Sequence, residues 1–207
     1  MKRVKVFIYA ILAGLCIALG GTVYLTLENK IMGAFLFTLG LFTICTFGFN
    51  LFTGKVCYVF ERDLDYLVDV GVIWLGNLVG TLVSGWALLA TRVGPGLAEK
   101  AAAVCATKLG DDLVSIFILA IFCNIMIFIG VDGYNKNPHE AGKYLSMFMA
   151  IMVFILFGFE HCIANMFYFT VGGVWGGKAL LYLAVMTLGN AVGGLIIPLC
   201  RKAFANT

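Results

Sequence analysis

Polar and apolar residues are sorted into long blocks along this chain. Residues 6–27, 31–49, 70–91, 113–131, 144–159 and 179–200 contain no Asp, Glu, Lys, Arg or His. Most of these runs reach the ~20 residues that an α-helix needs to cross about 30 Å of hydrocarbon. The fifth is shorter, and the uncharged residues after Glu160 and His161 lengthen it. The pattern predicts an all-α integral membrane protein with six transmembrane helices. A transmembrane β-barrel is excluded, because its strands alternate and give no apolar run of this length.

Composition agrees with the pattern. Of 207 residues, 62% are hydrophobic and 12% charged, and the mean hydropathy is +1.01. A soluble domain could not keep its exterior wet with so few polar residues. The first run follows Lys2, Arg3 and Lys5, as a signal peptide would, but it is longer than a typical signal-peptide core and reads as a retained helix. It begins five residues after Met1, so no soluble N-terminal domain is expected. The seven cysteines form no CxxC pair and read as small buried hydrophobes, giving no metal site or disulfide frame. A net charge of +3 gives no argument for nucleic acid.

Basic residues set an expected orientation. With the N-terminus inside, the cytoplasmic segments hold Lys2, Arg3, Lys5, Lys55, Arg62, Lys136, Lys143, Arg201 and Lys202. The outer side holds Lys30, Arg92, Lys100, Lys108 and Lys178. Both termini are therefore expected in the cytoplasm, with the chain a multi-pass protein of the cell (plasma, or inner) membrane. Gly14, Gly20 and Gly21 suit close packing of the first helix. Asp69 is expected at the solvated start of the third, and His139 in a solvated loop beside Pro138. The Ala-rich stretch 101–106 predicts a helix that carries Lys108 into the fourth span. Residues 172–177, with four glycines, read as a flexible linker.

Two pairs of motifs recur. Gly48-Phe49 precedes Asn50-Leu51, and Gly158-Phe159 precedes Glu160-His161, 110 positions later. Gly76-Asn77-Leu78-Val79-Gly80 returns as Gly189-Asn190-Ala191-Val192-Gly193, 113 positions later. The plain reading of the glycine pairs is close helix crossing. Halves of three helices each, residues 1–93 and 94–207 of a single channel domain, must be oppositely oriented, which makes an inverted 3+3 repeat. Helices 2 and 5 carry polar residues where lipid-like character should be strongest. Irregular backbone at that depth is tolerated where protein buries it or a cavity wets it. The expectation is two broken helices meeting near the midplane beside a solute path.

At these breaks the sequence resembles the formate/nitrite transporter family. Asn50-Leu51-Phe52-Thr53-Gly54 is similar to the family's first-break pattern, and residues 158–166, Gly-Phe-Glu-His-Cys-Ile-Ala-Asn-Met, to its second. The resemblance extends from the first helix to the last. It implies an aquaporin-like fold, a homopentamer with one pore per protomer, and transport of small monovalent anions or their acids, such as formate, nitrite, hydrosulfide, acetate or lactate. It assigns Thr53 and His161 to facing sides of the pore. Leu51, Phe52, Phe37, Leu41 and Phe154 would form apolar constrictions. Asn124 and Asn165 match polar residues beside the histidine, and Lys108 a basic residue in the outer vestibule. Family members usually carry an N-terminal segment proposed to gate the inner mouth, and the short stretch before the first run puts such gating in doubt.

The residues suggest how such a path would work. A bare anion crosses an apolar ring at a cost of several kcal/mol or more. Lys108 can concentrate anions at the outer mouth. His161 can donate a hydrogen bond or a proton, and its ordinary pKa near ~6.5 makes it a pH switch. Glu160, about 100° away if both lie on one helix, is expected to support the structure through Lys108 or backbone amides. The Thr53 hydroxyl serves the solute or caps its own loop, two readings of equal weight. The competing readings are a water or glycerol channel and a haem-holding membrane anchor. The first lacks any Asn-Pro-Ala signature. The second generally requires paired intramembrane histidines. No cofactor and no enzymatic nucleophile–base pair is expected.

Overall fold

The computed structural model describes residues 2–204. They form nine α-helices and one 3-10 helix: α1 (Lys2–Thr26), α2 (Lys30–Phe47), α3 (Phe52–Lys55), the 3-10 helix Val56–Glu61, α4 (Asp65–Leu89), α5 (Gly94–Gly110), α6 (Leu113–Lys136), α7 (Glu140–Leu156), α8 (Cys162–Val171) and α9 (Gly177–Phe204). Five of them, α1, α2, α4, α6 and α9, are long and apolar enough to cross a membrane, which makes this a multi-pass membrane protein. The short helices α3 and α8 follow α2 and α7 at the two expected breaks, and the Ala-rich stretch forms α5 with Lys108 in its last turn.

Local sequence accounts for the boundaries. Asn29 caps α2 by accepting from Met32 N–H, and Asp112 caps α6 by accepting from Val114 and Ser115 N–H. Such side-chain oxygens satisfy orphan donors of a first turn. The breaks begin at Gly48 (φ 68°) and Gly158 (φ 71°), left-handed positions that glycine adopts without a Cβ penalty. After each glycine the chain folds back, Phe49 N–H donating to Ile44 O (2.9 Å) and Phe159 N–H to Phe154 O (3.0 Å). Each pair of residues is again 110 positions apart.

The glycines of the repeated motif lie where two helix pairs cross. A Cβ on Gly76 of α4 would lie 2.9 Å from Phe7 O of α1, and one on Gly189 of α9 would lie 2.7 Å from Phe117 O of α6. Backbone contact at this distance leaves room for hydrogen only. The asparagine between the glycines fastens the broken segment to this crossing. Asn77 Nδ2 donates to Ala10 O (2.8 Å) and Asn50 O (2.9 Å), and Oδ1 accepts from Phe52 N–H (2.8 Å). Asn190 Nδ2 donates to Ala120 O and Glu160 O, and Oδ1 accepts from Cys162 N–H, all at 2.8 Å. In each half one buried amide thus satisfies the first N–H of the helix after the break and a carbonyl just before it. Unpaired groups at this depth would cost several kcal/mol each.

Three local expectations change. Asp69 is buried, not solvated: Arg3 Nε lies 3.3 Å and Lys2 Nζ 3.7 Å from its carboxylate. Arg3 also pairs with Asp65, tying the start of α1 to the start of α4. Residues 172–177 are no free linker. Trp175 Nε1 donates to Thr170 Oγ1 (3.1 Å), and its ring meets Phe169 edge-on at 5.7 Å. Glu160 and His161 precede α8 rather than lying on a helix, so the 100° spacing does not separate them. His161 is the N-cap of α8.

Candidate functional site

The two interruptions face each other. Thr53, in the first turn of α3, lies with Oγ1 2.9 Å from His161 Nε2, and both side chains are buried. On the other edge of the imidazole, Nδ1 accepts from Ala164 N–H at 3.1 Å. A nitrogen that accepts carries no proton, so the neutral ring has its proton on Nε2 and donates it to Thr53 Oγ1. His161 therefore has two tasks: it caps α8 with one nitrogen and presents an N–H donor with the other.

Apolar rings surround this donor. Phe154 stacks on the imidazole with centroids 5.8 Å apart, and Phe37 meets Phe154 edge-on at 5.9 Å. Phe37, Leu41, Leu51, Phe52 and Phe154 are each buried. On one side of the group lies a cavity of about 420 Å³, whose lining includes Leu41, Leu51, Cys45, Lys55, Tyr58 and Tyr66. On the other lies one of about 370 Å³, lined by Phe154, His161, Lys108, Glu160, Asn165 and Tyr168 among others. The first opens where Arg62 and Lys136 lie, at the end of the molecule that holds the start of α1. The second opens where Tyr24 and Asp111 lie, at the opposite end. Leu51 thus lines the first cavity and His161 the second.

Glu160 is nearly fully buried, and its carboxylate takes partners other than the imidazole of His161. Its Oε2 accepts from Lys108 Nζ (2.7 Å) and from Asn165 Nδ2 (2.8 Å). The Lys108 side chain is 13% exposed and the Glu160 side chain 3%. A buried carboxylate needs such partners. At the wall of this cavity Glu160 thus offsets the charge of Lys108. Two ammonium hydrogens of Lys108 remain beyond the one given to Glu160. Asn165 also donates to His161 O (3.1 Å) and lines the cavity, while its Oδ1 is buried without a partner.

Asn124 stands apart from this group. Its Nδ2 donates to Asn190 O (2.7 Å) and lies near Cys57, and it lines neither cavity. It belongs to the α6–α9 crossing. The residues that sequence reasoning passed over are Asn77 and Asn190. Their recurrence at one place in the Gly-Asn-x-x-Gly motif is the signal in the sequence that marks them. Among the described residues no group of three or more His, Cys, Asp or Glu is placed to hold a metal ion.

Comparison with known proteins identifies the family. The formate/nitrite transporter family model matches residues 1–203. The chain is 29% identical over 236 residues to the formate channel FocA of Haemophilus influenzae, covering 92% of this chain and 82% of that protein. It is 30% identical over 183 residues to the uncharacterized transporter YrhG of Bacillus subtilis, covering 81% and 68%. Among solved structures, a pentameric formate channel with formate bound superposes with TM-score 0.80 at 23% identity, covering 100% of this chain and 98% of that one. These relatives are named as channels and transporters, and none of them as an enzyme. With residues 1–203 matched by one family model, this chain belongs to the formate/nitrite transporter family.

Proposed function

We propose that the protein is a membrane channel for small monovalent anions or their conjugate acids, with formate, nitrite and hydrosulfide as candidates. The observation that carries this reading is the Thr53–His161 hydrogen bond, a single polar pair inside an apolar barrier between two cavities. Family membership and relatives named as formate channels support it. The matching solved structure is titled a pentameric channel, which supports a homopentamer with one path per protomer. Lipid would cover the remaining apolar exterior.

The same reading takes α2 with α3, and α7 with α8, as broken spans, giving six crossings in two inverted halves, residues 1–93 and 94–207. The matched contacts of Asn77 and Asn190 support this arrangement. It places both termini on the cytoplasmic face of the inner membrane, in accord with the excess of basic residues there.

In this mechanism a solute enters the vestibule beside Lys108 and loses water at Phe154. There it takes the Nε2–H of His161 in place of Thr53 Oγ1. A conjugate acid passes Leu51 and Leu41 more cheaply than its anion, since burying charge costs far more than burying a hydrogen-bonded neutral group. Protonation of Nδ1 would set two donors face to face at Ala164 N–H. The imidazolium can form only by giving up the α8 cap, which links proton uptake at this histidine to movement of the break. Flux is therefore expected to rise as pH falls. Formate efflux from proteoliposomes, measured against pH, tests the reading. His161→Ala and Lys108→Glu should each lower flux sharply or remove its pH dependence. Unchanged flux in both variants would sink the mechanism.

A further inference from the structure

We propose that Lys55 forms a second anion-binding site, in the vestibule on the opposite side of the barrier from Lys108. This inference rests on the small-anion reading above and adds a residue and a face to it. Lys55 is half-buried at the end of α3 and lines the cavity of about 420 Å³. Its ammonium has no ion pair or hydrogen-bond acceptor among the described residues. A half-buried ammonium with three unused donors is an uncommon arrangement, because desolvated charges normally find partners.

The repeat explains why this lysine is unpaired. Shifted by 110 positions, Lys55 corresponds to Asn165 and Asn50 to Glu160. In the second half, Glu160 binds both Asn165 and Lys108. In the first half the acid's place is taken by Asn50, whose Nδ2 donates to Val6 O (3.3 Å) and supplies no charge. The position that answers to Asn165 is thus cationic, and the position that answers to its carboxylate partner is neutral.

The other charged groups around the cavity leave it positive. Glu61 and Arg62 are exposed at its rim. Lys136 is held by Asp132 (2.8 Å). The wall near Lys55 adds Tyr58, whose hydroxyl donates to Asp132 (3.2 Å), and Tyr66, whose hydroxyl donates to Lys55 O (3.0 Å). Among the described residues no carboxylate lies within ion-pair distance of the ammonium, Glu61 at the rim included. A small carboxylate or nitrite-sized anion entering here would gain a charge-assisted hydrogen bond. It would wait one barrier away from His161, so that each face of the path has its own anion-holding residue.

Cys45 lines the same cavity and supplies a probe that does not depend on transport. In the pentamer, with the exposed Cys200 replaced by Ser, the rates at which iodoacetate and iodoacetamide alkylate Cys45 are followed by mass spectrometry. Iodoacetate is a small carboxylate, and iodoacetamide its neutral counterpart. The iodoacetate/iodoacetamide rate ratio should exceed that of free cysteine by about tenfold, within the range of focusing by a charged cleft. Formate should slow the iodoacetate reaction. Lys55→Met should return the ratio to the free-thiol value, and Lys55→Arg should keep it raised. A free-thiol ratio in the unsubstituted lysine protein, a ratio unmoved by Lys55→Met, a Cys45 that neither reagent reaches, or the absence of formate protection would each overturn the site. Formate flux in the same preparations tests the channel reading separately. A raised ratio without flux would reject the channel and leave the anion site standing.

Discussion

Thr53 Oγ1 and His161 Nε2, 108 positions apart in the chain, meet at 2.9 Å where the two interrupted helices face each other. The bond joins two segments that no regular secondary structure links. It also leaves the imidazole edge committed on both sides. Thr53→Val keeps the side-chain shape and removes the acceptor. Formate flux should then fall by roughly tenfold, the equivalent of the ~1.4 kcal/mol at stake in one buried hydrogen bond. Thr53→Ser should restore most of it. Proteoliposome efflux of the three proteins checks this.

Asn77 and Asn190 should matter for stability more than for selectivity. Each makes three buried hydrogen bonds to backbone at a break. Replacement by Ala leaves Phe52 N–H or Cys162 N–H unpaired in a low-dielectric interior, at about 1–3 kcal/mol for each orphaned group. Both variants are expected to lower the thermal midpoint of the detergent-solubilised protein by similar amounts. A loss in only one of them would show that the two breaks are not held alike.

Glu160→Gln removes a carboxylate and leaves the Lys108 ammonium without its counter-charge. Breaking a buried pair in this way typically costs about 3–5 kcal/mol. The double variant Glu160→Gln with Lys108→Met removes both charges and should recover much of that loss. A thermal-unfolding cycle over the four proteins gives the coupling directly. If the single and double variants were equally unstable, the role given to the ion pair would be wrong.

Truncating the apolar rings should trade stability for permeability. Leu51→Ala and Phe154→Ala each empty a buried position, at about 2–5 kcal/mol. The wider barrier should admit acids the size of lactate along with formate. Competition by lactate in a formate counterflow assay measures the change. Unaltered competition in both would place the constriction elsewhere.

Gly76 and Gly189 test the crossings. Gly76→Val would force side-chain atoms into the backbone of Phe7 and the Cβ of Ala10. The helices would have to separate, and folded protein recovered from membranes should fall steeply. Gly71 has open space around it, and Gly71→Ala should leave recovery unchanged.

The breaks were legible in the sequence because their chemistry conflicts with their surroundings. Gly48 and Gly158 interrupt apolar runs, and Glu160-His161 stands in a segment that should hold no charge. Recurrence of Gly-Phe and of Gly-Asn-x-x-Gly at nearly equal offsets suggested that the interruptions belong together. What could not be read was the place of the buried asparagines and of Asp69. Asn124 and Asn165 are alike in composition and in the kind of run they occupy, yet Asn165 lines a cavity and Asn124 serves a helix crossing. Asp69 reads as solvated because it begins a helix, and only the approach of Lys2 and Arg3 from the start of α1 gives its buried carboxylate its partners.

Sequence alone determined the solvent of this protein and the places where its helices fail. Both follow from local free energies: apolar runs belong in hydrocarbon, and glycine followed by polar residues cannot continue a lipid-facing helix. The tertiary structure decided which partner each buried polar group takes. Glu160 goes to Lys108 and Asn165, His161 to Thr53 and Ala164, and Lys55 to no partner among the described residues. The Glu160–Lys108 and His161–Thr53 pairings depend on approach geometry between segments 52 and 108 residues apart, and composition and spacing carry no record of such distances.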